Sequence, residues 1–90
     1  MRSRYTAFVV GDRAHLERSW HPRTRPHDLI LDPATVWRGL EIVDAAENPA
    51  DGTATVEFRA SIEGEGVLHE RSGFVKRAAR WVYLDGEIEP

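Results

Sequence analysis

No cysteine occurs in the 90 residues, so disulfides, thiolate nucleophiles, Cys-ligated zinc and iron–sulfur clusters are excluded within them. Small secreted domains usually lean on disulfides, and the opening residues hold no apolar signal region. No apolar run approaches the roughly 20 residues that a helical membrane span needs. The expectation is a cytoplasmic protein with no membrane partner. Ser3 and Ser72 lack a Gly-x-Ser-x-Gly setting, and no glycine loop for phosphates exists. His15, His21 and His27 are six apart, a spacing that neither one helical face nor a zinc motif supplies. No metal site and no cofactor are expected.

What is present is ordinary for a folded domain: 41% hydrophobic and 30% charged residues, with seven Gly and five Pro. Ninety residues make one domain of modest stability, spanning 1–90. The net charge of −3 is unevenly placed. Residues 1–27 carry six Arg against Asp12 and Glu17, whereas residues 28–90 carry six basic against thirteen acidic groups. The basic segment is expected to meet the chain's own acidic sheet. With a pI near 5.8 there is no general footprint for nucleic acid.

The periodicity changes once. Met1, Tyr5, Phe8 and Val9 recur at helical spacing and Gly11 follows as a stop signal. Asp12 then caps a second short helix with Leu16 and Trp20 four residues apart. Pro22 and Pro26 make 21–35 a loop, anchored through Leu29, Ile30 and Leu31. From residue 36 the period is two. Ala54, Val56, Phe58, Ala60 and Ile62 alternate with polar residues over 53–63, one buried and one wet face. Strands at 36–44, 67–76 and 80–85 complete a meander, with 85–90 a frayed end. The class is α+β: two N-terminal helices packed on one face of a curved four-stranded antiparallel sheet.

Met1-Arg2-Ser3-Arg4-Tyr5-Thr6-Ala7-Phe8, Trp20-His21-Pro22, Trp37-Arg38-Gly39-Leu40, Val56-Glu57-Phe58, Leu68-His69-Glu70-Arg71-Ser72 with Phe74, and Trp81-Val82-Tyr83 with Asp85-Gly86 follow one another along nearly the whole chain. In this order they resemble the central domain of the bacterial YchJ-like family. The resemblance implies a nuclear transport factor 2-like fold and no particular reaction. Family members usually carry a Cys-rich SEC-C segment before the Arg-Ser-Arg-Tyr motif. None stands here, so its zinc is not carried over, and Met1 is expected to be an internal residue in longer relatives. Ala78-Ala79 replaces a turn glycine, which should touch only the last hairpin.

If Leu68 and Phe74 face the core, strand alternation puts Glu70 and Ser72 there too. A buried carboxylate needs a partner, and Arg4, with Arg2 as fallback, is the expected one. Trp20, Trp37, Trp81 and Tyr83 can line an apolar pocket. The candidate pocket residues are therefore Arg4, Tyr5, Trp20, His21, Trp37, Glu70, Ser72, Trp81 and Tyr83. Two functions from different classes fit: a binding or interaction domain for a small molecule or protein, and a small cofactor-free enzyme of the SnoaL or ketosteroid-isomerase type with Glu70 as general base. Val67, Val75, Val82 and Leu84 on the outer sheet face suggest a homodimer.

Overall fold

The computed structural model describes residues 2–29 and 31–89; the positions of Met1 and Ile30 in the sequence reading lie outside them. Helix α1, Arg2–Val10, ends where Gly11 takes φ 74° and the Asp12 N–H donates to the Ala7 carbonyl at 2.8 Å. This is a Schellman-type stop, for which glycine is favoured because it carries no Cβ. Asp12 caps α2, Arg13–Arg18, by accepting from the His15 N–H. The face of α1 that packs inward is rotated from the expected one: Arg4 and Ala7 are buried while Val9 is 48% exposed. Ala7, Leu16 and Leu29 form a small cluster with Phe8, Trp20 and Leu31 around it, so Leu29 and Leu31 do anchor the loop.

Strands β1 (Trp37–Asn48), β2 (Thr53–Ile62), β3 (Gly66–Arg77) and β4 (Arg80–Ile88) form one sheet in chain order, every pair antiparallel. Ala54, Val56, Phe58 and Ala60 pair with Phe74, Ser72, Glu70 and Leu68, which puts all eight on the inner face. A register shift between Ile42 and Asp44 lets β1 continue beyond the expected 44. A single extra residue there restores the alternation on a bent strand. The C-terminal end is not frayed through 89. β4 runs to Ile88, the Glu89 N–H donates to the His69 carbonyl, and the Glu89 carboxylate reaches Arg71.

The free edge of β4 is covered by residues 19–24. Tyr83 N–H donates to Ser19 O, His21 N–H to Tyr83 O, and Thr24 Oγ1 to Leu84 O. Such covering removes an edge that could otherwise recruit another chain. It also fixes Trp20 against Tyr83, their rings 5.0 Å apart and nearly perpendicular. The molecule is 18 Å across its thinnest extent, room for one helical layer on one sheet. The helices touch the sheet through a few large side chains, chiefly Tyr5 on Trp37 and Arg4 on Tyr83. Gaps therefore remain between the layers.

The charge expectation needs correcting. Among the described residues no arginine of 1–27 makes an ion pair with a sheet carboxylate; Arg13 pairs with Glu17 and Asp28. The sheet carboxylates are instead matched within the sheet, Glu57 with His69 and Arg71 and Glu41 with Arg59. Cross-strand neighbours lie closer than the helices can reach.

Candidate functional site: a cavity between helices and sheet

Arg4 is the unusual residue of α1. It is 7% exposed, one helical turn before Phe8, and its guanidinium carbon lies 3.7 Å from the Tyr83 ring centroid, 4.3 Å from that of Trp20 and 5.4 Å from that of Phe8. Stacking on aromatic faces is worth about 2 kcal/mol or more for a desolvated cation. Burial lowers the Arg4 pKa to about 10, a change that the nearby Tyr83 and Glu70 partly oppose. Arg4 is still a cation at neutral pH. Its Nη1 is buried with no hydrogen-bond partner.

Facing it, β3 directs Glu70 and Ser72 inward. Ser72 is fully buried and donates its hydroxyl to Glu70 Oε2 at 2.6 Å, with the Tyr83 hydroxyl at 3.4 Å from the same oxygen. Burial, and then the charge of Glu70, push the Tyr83 hydroxyl up to about 12, so it remains a neutral donor. The expected ion pair between Glu70 and Arg4 or Arg2 is not formed. Among the described residues no cation stands within ion-pair distance of Glu70. The cation lies on the aromatic rings and the carboxylate on two hydroxyls, and Tyr83 meets both, the one with its ring and the other with its hydroxyl. Gly86 keeps this arrangement open: a Cβ there would fall 2.5 Å from Glu70 Oε2 and 2.6 Å from the Tyr83 oxygen.

These groups surround a cavity of about 260 Å³, closed on the apolar side by Phe8, Phe58, Ala60 and Leu68. Arg4, Tyr5, Trp20, Trp37, Glu70 and Tyr83 of the sequence candidates line it. Trp81 does not. It belongs to a second cavity of about 430 Å³ beside Ser3, Glu47 and Phe74, which Arg4 also borders. Ser72 sits behind Glu70 as its hydrogen-bond donor. His21 is outside both: its Nδ1 accepts from the Arg23 N–H in the surface loop. Its pKa is lowered by desolvation, with Arg77 and Arg23 adding. Phe58 and Leu68 were legible as an inner face and not as a cavity wall, whereas the small Ala60 side chain was legible as leaving room for one. Gly86 was legible only as part of the Asp85-Gly86 motif. Among the described residues no three His, Asp or Glu side chains gather as a metal-binding set, and no helix is long and apolar enough to cross a membrane.

A four-stranded antiparallel sheet curved around two N-terminal helices, with a polar spot in the cavity between them, defines a nuclear transport factor 2-like domain. The chain belongs to the YchJ family: the model of its middle NTF2-like domain matches residues 1–86. It is 59% identical over 89 residues to a UPF0225 protein of Streptomyces coelicolor, covering 98% of this chain and 71% of the relative. A UPF0225 protein of Streptomyces avermitilis is 54% identical, with 98% and 63% covered. The solution structure of a SEC-C motif containing protein from Rhodopseudomonas palustris superposes with a TM-score of 0.84 at 27% identity, over 100% of this chain and 76% of that one. A SEC-C motif containing protein from Psychrobacter arcticus gives 0.76 at 30% identity, over 100% and 59%. The chain thus spans from 59% to 76% of the length of these proteins.

Proposed function

We propose that this domain binds a small molecule in the 260 Å³ cavity and has no catalytic role of its own. The observation that carries the reading is Arg4, a buried cation with an unpartnered Nη1 at the wall of an aromatic cavity. Leaving a buried donor unmade costs about 1–3 kcal/mol, more when the group is charged. A fold keeps such a cost where a bound group repays it. In longer proteins of this kind the domain would be the body to which a SEC-C segment is attached. The test is a thermal-shift comparison of flat aromatic compounds on the wild type and on an Ala60→Leu variant that fills the cavity. Compounds should raise the melting temperature of the wild type alone. Equal shifts in both proteins, or none in either, would sink the reading.

The enzymatic alternative, with Glu70 as a general base, draws support from the absence, among the described residues, of a cation in ion-pair reach of Glu70. Against it, the Ser72 and Tyr83 hydroxyls both hold Oε2, which fixes the carboxylate rather than freeing it to meet a substrate C–H. Homodimerisation through the outer sheet face is supported by Val67, 59% exposed, and by the cross-strand pair Val75 and Val82. A single monomer-sized species in light scattering at tens of micromolar would count against it.

A further inference from the structure

Two donors, not one, lie buried without a partner on residues that line the same cavity. Besides Arg4 Nη1, the indole Nε1 of Trp20 is buried without a partner. The two groups are neighbours, with the Arg4 guanidinium carbon 4.3 Å from the Trp20 ring centroid, and both residues line the smaller cavity. Arginine and the indole N–H can only donate, so what is missing is an acceptor that reaches both. Glu70 Oε2 takes the Ser72 and Tyr83 hydroxyls instead, and among the described residues no acceptor stands within hydrogen-bond reach of either donor.

Charge narrows the chemistry. Arg4 is a cation with no ion-pair partner among the described residues, so a charge-assisted bond to an anion is the strong interaction open to it. Glu70 stands close enough for its charge to act on Arg4 and would repel a dianion such as phosphate. A single negative charge spread over two oxygens satisfies both limits. The remaining walls are rings and aliphatic groups, Tyr5, Phe8, Trp37, Phe58 and Leu68, which suit a flat apolar body of modest size. Resting on the small-molecule reading above, we infer that the ligand is a planar aromatic monocarboxylate whose carboxylate meets Arg4 Nη1 and Trp20 Nε1.

Three probes of one shape separate this inference from the reading beneath it: 1-naphthoate, 1-naphthamide and 1-naphthylmethylammonium, titrated by calorimetry. The wild type should bind naphthoate at least about tenfold more tightly than naphthamide, and the cation most weakly, since a charge-assisted bond is the stronger one. The preference for naphthoate should disappear in Arg4→Met and shrink in Trp20→Phe, which deletes the indole donor and leaves the ring and the arginine in place. If Arg4→Met fails to fold, the Trp20→Phe ratio alone decides. Naphthamide binding as tightly as naphthoate would overturn the carboxylate and leave the cavity reading standing. The cation binding most tightly would do the same, naming Glu70 as the dominant group. No binding of any probe would overturn both.

Discussion

At the residue scale, the two inward charges of this domain find different partners from the expected ones. Sequence alternation puts Glu70 on the inner face, and an inward carboxylate calls for an arginine. The arginine comes to the right place yet rests on Tyr83, Trp20 and Phe8, while Ser72 and Tyr83 serve the carboxylate. The consequence for Glu70→Gln is concrete. Orphaning one member of a buried ion pair costs about 3–5 kcal/mol, but Gln retains an oxygen for the Ser72 and Tyr83 hydroxyls. The expected loss is about 1 kcal/mol, the scale of one hydrogen bond, read from urea unfolding. A loss of several kcal/mol would show that Arg4 depends on Glu70 after all. Gly86→Ala should be worse, because its Cβ meets both the Glu70 carboxyl and the Tyr83 hydroxyl. The carboxyl can turn aside, whereas the Tyr83 ring is held by Trp20 and Phe74. Overpacking of this kind costs about 1–3 kcal/mol, and near-ultraviolet circular dichroism of the aromatic cluster should change with it.

At the element scale, the last hairpin is the weakest local match of sequence to structure. Ala78 and Ala79 take φ 49° and 66°, both left-handed, as a two-residue turn between Arg77 and Arg80 demands. Left-handed backbone costs an L-residue roughly 1–2 kcal/mol, and Asn-Gly is the pair that suits such a turn. The double change Ala78→Asn with Ala79→Gly should stabilise the domain by about 1–2 kcal/mol. For a chain of this length each kcal/mol raises Tm by about 4–8 °C. An unchanged melting curve would mean that the turn opens before the rest. Other elements agree with their sequences closely. The 53–63 alternation, the Gly11 stop and the Asp12 cap depend on contacts within one strand or one turn, and all three stand as read. β1 and β4 ran longer than expected because their ends are extended by pairing with β2 and β3, contacts that no local pattern displays.

At the scale of the whole molecule, the outer sheet face holds a carboxylate whose protonation is coupled to folding. Glu57, its side chain 16% exposed, accepts from His69 at 2.6 Å and from Arg71 at 2.9 Å. Its pKa is lowered from 4.5, first by the His69 hydrogen bond and then by the charges of Arg71, His69 and Arg59, against an opposing desolvation. A carboxylate depressed in the folded state contributes stability that is complete above its unfolded value. That contribution is lost as pH falls through the lower folded value. Thermal melts should therefore decline as the pH drops below about 4.5, and Glu57→Gln should flatten that part of the curve. Identical pH profiles for the two proteins would place the acid sensitivity elsewhere.

The sequence by itself determined the class: two helices, then an antiparallel meander with one covered face, and the family through motifs in order along the chain. Those features follow from periods of 3.6 and 2 and from turn residues, which act over a few positions. Of the nine pocket candidates read from the sequence, six line one cavity together. Only the tertiary structure decided that Arg4 stacks rather than pairs, that His21 stays in the surface loop and that Trp81 lines a different cavity. The rotation of α1 about its own axis governs the first of these, and the docking of 19–24 on the β4 edge governs the second. The path of β4 past the second cavity governs the third. Each is a relation between segments far apart in the chain, where a small rotation moves a long side chain from one partner to another.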